Sequence, residues 1–88
     1  METRIGSALI LVEDKNMASK VNDIISRHSQ IIIGRQGLPD HSREIAIISL
    51  VLEGSTDQIG SLTGQLGRLP GVQVKSVVLK TESNNIAD

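Results

Sequence analysis

Few residues of this chain are equipped for chemistry. It holds two histidines, His28 and His41, and no cysteine. His41 stands beside Asp40 and close to Glu44, and the three could offer donors to a metal ion shared between subunits. Their spacing matches no ligand motif, so a solvated loop histidine is the plainer reading and no metal is expected. His28 closes a helical pattern, where an imidazolium suits the negative end of the helix dipole. Arg35 lies between Gly34 and Gly37. A guanidinium among bare neighbours can grip a carboxylate or phosphate, or form a salt bridge at a subunit interface. Two polar turns complete the inventory: Glu13-Asp14-Lys15-Asn16 and Ser55-Thr56-Asp57. Glu13, Asp14, Asn16, Arg35, Ser55, Thr56 and Asp57 together form the candidate effector-binding set. No Ser/His/Asp, Cys/His or paired-carboxylate constellation is present, nor a Gly-rich phosphate loop, so neither catalysis nor a cofactor is expected.

Composition narrows the classes further. Phe, Trp and Tyr are absent, so no ring can stack on a nucleobase or a sugar. The net charge is −1 with the signs interspersed, which leaves no basic footprint for nucleic acid or an anionic membrane. Without thiols there is no disulfide, zinc-thiolate or iron–sulfur ligation. The apolar run Ala8 to Val12 is too short for a signal peptide, and no run reaches membrane-spanning length. A cytoplasmic protein is expected. Eighty-eight residues allow one small domain, here 1–80, with 81–88 a polar, aperiodic and disordered tail.

The elements that must position these residues follow from periodicity. Ile5 to Val12 reads as a strand with both faces largely apolar. Met17, Val21, Ile24, Ile25 and His28 recur at helical spacing, with Asp14 or Asn16 as the cap. Gln30 to Leu38 and Glu44 to Glu53 form a long hairpin, and the glycines of its first arm imply a bulge or a close approach. Ser55, Thr56 and Asp57 cap a second helix with an Ile59, Leu62, Leu66, Leu69 stripe, which Pro70-Gly71 ends. Val72 to Lys80 is the last strand.

The order strand, helix, strand, strand, helix, strand predicts an α+β fold. Specifically, it predicts a ferredoxin-like βαββαβ sandwich: a four-stranded antiparallel sheet with both helices on one face. Such a sheet leaves its other face bare. Ile31, Ile33, Ile45 and Ile47 fall on that apolar side. An open apolar face is uncommon on a monomer, so a second copy or another protein is expected to cover it. Gly60, Gly64 and Gly67 share one face of the second helix, where another backbone, from the first helix or a second subunit, can come close. A homodimer or homotetramer with a small-molecule effector or a protein partner is the resulting expectation.

The start Arg4-Ile5-Gly6 is one part of a longer resemblance, and the strand Ile31-Ile32-Ile33-Gly34-Arg35-Gln36-Gly37-Leu38-Pro39 is another. The longest part runs from Ile48 through Glu53-Gly54-Ser55-Thr56-Asp57 and Thr63-Gly64-Gln65-Leu66-Gly67 to Leu69-Pro70-Gly71-Val72. Together they resemble a small family of stand-alone bacterial proteins named as iron-only hydrogenase system regulators. The resemblance spans Arg4 to Lys80. It implies an ACT-like sandwich, similar to the effector-binding half of the nickel-responsive repressor, in modules that assemble through their sheets and bind small ligands between subunits. That repressor holds nickel with histidines and a cysteine, which this chain does not match, so no metal ligand carries over. Nothing here resembles its DNA-binding arm. A regulatory protein is therefore expected, and a structural adaptor docked on a larger enzyme is the alternative.

Overall fold

The computed structural model describes residues 2–40 and 42–80. Its elements run β1 (Arg4–Val12), α1 (Ala18–Arg27), β2 (Ile32–Asp40), β3 (Ile45–Gly54), α2 (Thr56–Gly67) and β4 (Val72–Leu79). The four strands form one antiparallel sheet in the order β2-β3-β1-β4, the ferredoxin-like arrangement expected from the element order.

Alternation along β1 sets the layers. Gly6, Ala8, Ile10 and Val12 are buried, whereas Ser7 and Leu9 are exposed. The buried side meets Ile48, Leu50 and Leu52 of β3 and the stripes Val21, Ile24, Ile25 of α1 and Ile59, Leu62, Leu66 of α2. These aliphatic side chains make a core without a single aromatic ring.

α2 starts where its residues dictate. The Ser55 hydroxyl accepts the Gln58 N–H at 3.1 Å, and the Gln58 side chain returns to the Ser55 N–H at 2.9 Å. This reciprocal cap satisfies two backbone donors that the helix cannot. Ser55 is only 7% exposed, so water cannot replace the bonds. Ser55→Ala should therefore lower stability by about 1 kcal/mol, read as an earlier urea midpoint at unchanged slope.

The bounds of β2 and the cap of α1 differ from the periodicity. Ser29–Ile31 form a 3₁₀ turn, so β2 begins at Ile32 and runs to Asp40. Ile31 is thereby turned into the core at 5% exposure, beneath Gly54, and cannot serve the open face. Asp14 caps a 3₁₀ turn, Lys15–Met17, that precedes α1, rather than α1 itself. The bulge expected in β2 lies between Ile32 and Gly34, where Ile33 is the extra residue. The expected tail 81–88 lies outside the described residues.

The open face is less uniformly apolar than expected. Rows across the sheet place Val77, Ser7 and Val51 together, then Lys75, Leu9, Ser49 and Gln36. Leu9, Val51, Val77 and Leu79 are exposed there at 55, 43, 61 and 57%, with polar side chains between them. Ile45 and Ile47 are half-buried on this side. Ile33 is exposed at the bulge.

Candidate functional site

The antiparallel register decides what can meet. Val12 pairs with Ala46, so the loop after β1 and the tip of the β2–β3 hairpin share one end of the sheet. Between them opens a cleft of about 470 Å³. Its walls are Val12, Ala18, Ile45 and Ala46, and its rim carries Lys15, Asp40 and Glu44. Lys15 Nζ and Glu44 Oε1 are 3.1 Å apart across the mouth, both side chains well exposed. Such a solvated pair holds by less than about 1 kcal/mol, so it opens easily. Glu44 sits in the left-handed region at φ 55, which lets the hairpin turn back toward the loop.

The rim carboxylate Asp40 is held in place by its own turn. The Ser42 hydroxyl donates to Oδ1 at 2.8 Å, and Arg43 Nε donates to Oδ2 at 2.9 Å. The Ser42 bond first, then the Arg43 bond and charge, keep its carboxyl below the usual carboxylate range.

The loop below the rim is latched from the other side. The Glu13 and Asp14 N–H groups donate to the Gly71 carbonyl at 2.7 and 3.3 Å. Gln73 Nε2 donates to Glu13 Oε1 at 3.1 Å, and Asp14 Oδ1 accepts the Asn16 N–H at 3.0 Å. Gly71 has φ 73 and lies so close that an added Cβ would be 2.6 Å from the Asp14 Cβ.

The candidate effector set does not converge. Glu13, Asp14 and Asn16 flank Lys15 in the loop after β1, but none of the three lines the cleft. Ser55, Thr56 and Asp57 follow Gly54, which pairs with Arg4 at the opposite end of the sheet. The two groups are separated by most of β1, about 26 Å at ~3.3 Å per residue, too far for one small ligand. Arg35 stands in neither place. It pairs with Leu50 in mid-sheet, and its Nη2 donates to Asn22 Oδ1 of α1 at 2.7 Å. What the spacing missed is that Lys15, Asp40 and Glu44 share a rim. The signal was available, because a βαββαβ sheet must bring the β1–α1 loop to the β2–β3 hairpin tip.

His28 bridges the helices. Its Nδ1–H donates to the Ile24 carbonyl at 2.8 Å, and its Nε2 lies within hydrogen-bond distance of the Ser61 hydroxyl at 3.2 Å. His41 lies outside the described residues. Among the described residues, no group of three or more His, Cys, Asp or Glu side chains is placed to hold a metal ion. The glycine face of α2 meets no other helix: nothing lies within 4 Å of a Cβ added at Gly60 or Gly67, and only the Arg68 guanidinium at Gly64. No helix among the described residues is long and apolar enough to cross a membrane.

Residues 4–76 match the TM1266-like family, described as "Iron-only hydrogenase system regulator, putative". The chain belongs to that family. Its fold is that of the uncharacterized protein TM1266 from Thermotoga maritima, with 42% identity and a TM-score of 0.84 over 90% of this chain and 100% of that one. The TM1266-like chain also shares its fold with the C-terminal domain of the MgtC protein from Mycobacterium tuberculosis. There the identity is 14% and the TM-score 0.67, over 86% and 87% of the two chains. A PII-like protein, CPII from Thiomonas intermedia K12 bound to ADP, AMP and acetate, aligns at 13% identity and a TM-score of 0.50, over 92% and 94%. No curated protein matches the TM1266-like chain.

Proposed function

We propose that this protein is a non-catalytic, self-assembling regulatory module that holds a small effector in the cleft between the β1–α1 loop and the β2–β3 hairpin tip. The observation that carries the reading is the cleft itself. Its apolar walls stand under a rim of opposite charges, and both sides of it are held by hydrogen-bonded loops. Concave, mostly apolar sites with a few placed polar groups are the usual form of small-molecule sites. Membership in a family of regulators supports the reading, as does a fold shared with a protein bound to nucleotides. The iron-only hydrogenase system is the process that the family's description names for it. The exposed Leu9, Val51, Val77 and Leu79 favour a homodimer or homotetramer and leave the adaptor as the second reading.

A thermal-shift screen against amino acids, nucleotides and divalent metals separates the two. An effector at a hundredfold excess over its Kd adds about 2.7 kcal/mol, a rise of roughly 10–20 °C for a domain of this size. That rise should fall sharply in Lys15→Ala, whose side chain is exposed enough to be lost without harm to the fold. No shift with any of the three classes overturns the effector reading and leaves the adaptor.

A further inference from the structure

The two edges of the sheet are built differently. β2, one edge, carries a bulge between Ile32 and Gly34, a second glycine at Gly37 and Pro39, which has no N–H to offer. These are the devices that keep a strand edge from pairing with another chain. β4, the other edge, has none of these three, and its one charged residue is Lys75. Its eight residues run in unbroken register against β1, from Val72 opposite Val12 to Leu79 opposite Ile5, with no proline and no glycine. Its far half carries three consecutive exposed apolar residues, Val77, Val78 and Leu79, at 61, 41 and 57%.

We infer that the free edge of β4 pairs with β4 of a second copy of this chain, antiparallel about a two-fold axis at Ser76, to make one continuous eight-stranded sheet. The register follows from charge and length. Centred on Ser76, residues 72–80 all find partners, Lys75 faces Val77 and Lys80 faces Val72, and Val74 meets Val78. A register centred on Lys75 would set that lysine against its own copy, which is unfavourable. Val78 lies on the helix side, opposite Gly6, and the pairing covers it with Val74.

α2 fits this arrangement. It lies over β4, while the Arg35–Asn22 bond places α1 toward β2, and Ser61 turns toward α1 to meet His28. At about 100° per residue, Gly60 and Gly67 fall on the flank away from Ser61, above the open edge. Paired strands sit about 4.8 Å apart, so helices above two adjoining edge strands are forced close, whereas packed helices usually keep about 8–10 Å between axes. A flank without side chains permits that approach. The pairing is independent of the cleft and of any effector.

The absence of cysteine makes the test clean. Directly opposed residues of an antiparallel pair have Cα atoms about 4.5–5.5 Å apart, within the disulfide range. Under mild oxidation Ser76→Cys should therefore yield a covalent dimer from nearly all chains, while Lys20→Cys, on the exposed surface of α1, stays largely monomeric. Gly60→Gln with Gly67→Gln should keep the fold, since both sites face open space, yet weaken association at least tenfold by sedimentation. A wild-type protein that is monomeric at 100 µM overturns the inference. So does a Ser76→Cys variant that cross-links no faster than Lys20→Cys. If Leu9→Glu on the open face abolishes all association while Ser76→Cys fails to cross-link, the edge pairing is wrong and assembly through the open face stands.

Discussion

Leu50→Ala is expected to remove about 3 kcal/mol of stability, in the range found for deep Leu→Ala changes. Leu50 is fully buried in β3, between Ala8 of β1 and the β2 arm, and belongs to the cluster that joins the sheet to both helices. The truncation leaves a cavity that neighbouring branched side chains, stiff at χ1, fill poorly. For a domain of roughly 80 residues the whole stability is on the order of 4–12 kcal/mol, so this single change consumes a large part of it. The melting temperature should fall by about 12–24 °C. Leu9→Ala, on the adjacent strand but the solvent side, should cost far less, because Leu9 is 55% exposed. Equal losses for the two variants in urea denaturation would refute the assignment of the core to the helix side.

Gly71→Ala is the other large effect, expected to be about 2–4 kcal/mol. An alanine there must hold φ 73, which costs L-residues about 1–2 kcal/mol. Its Cβ must also displace Asp14, 2.6 Å away. The displacement pulls the Glu13 and Asp14 amides off the Gly71 carbonyl and releases the loop that carries Lys15 to the cleft rim. Amide exchange at Glu13 should accelerate, and effector-induced thermal shifts should shrink, while Gly37→Ala, with open space around it, does neither. Retained protection at Glu13 in Gly71→Ala would show that the latch is not what fixes the loop.

Much of the fold was legible because each element carries a local signal. The Leu stripe of α2, its Ser55 cap and the Pro70-Gly71 stop mark one helix without tertiary information, and they agree with the structure to within a residue or two. Ile31 was misplaced because β-branched residues read as strand, whereas packing against Gly54 holds it in a 3₁₀ turn. The open face looked uniformly apolar because runs such as Ile45 to Val51 hide which residue faces which way until the cross-strand register is known. The candidate site was only half legible for the same reason. Residue types identified polar turns, but which turns share an end of the sheet is a property of strand direction. Glu13 to Asn16 and Ser55 to Asp57 are alike in chemistry and stand at opposite ends.

The bulge in β2 has a bearing on how the chain tolerates changes in length. Ile33 has no counterpart on β3: Ile32 faces Leu52, and Gly34 faces Val51. Excising that one residue would knit the ladder into a regular one, with every later side chain still on its present side. Losing a residue anywhere from Arg35 to Leu38 would turn the remainder of the arm inside out, because sidedness flips with each step along a strand. The arm thus has a single spare link, and it lies at the foot of the hairpin rather than near the cleft.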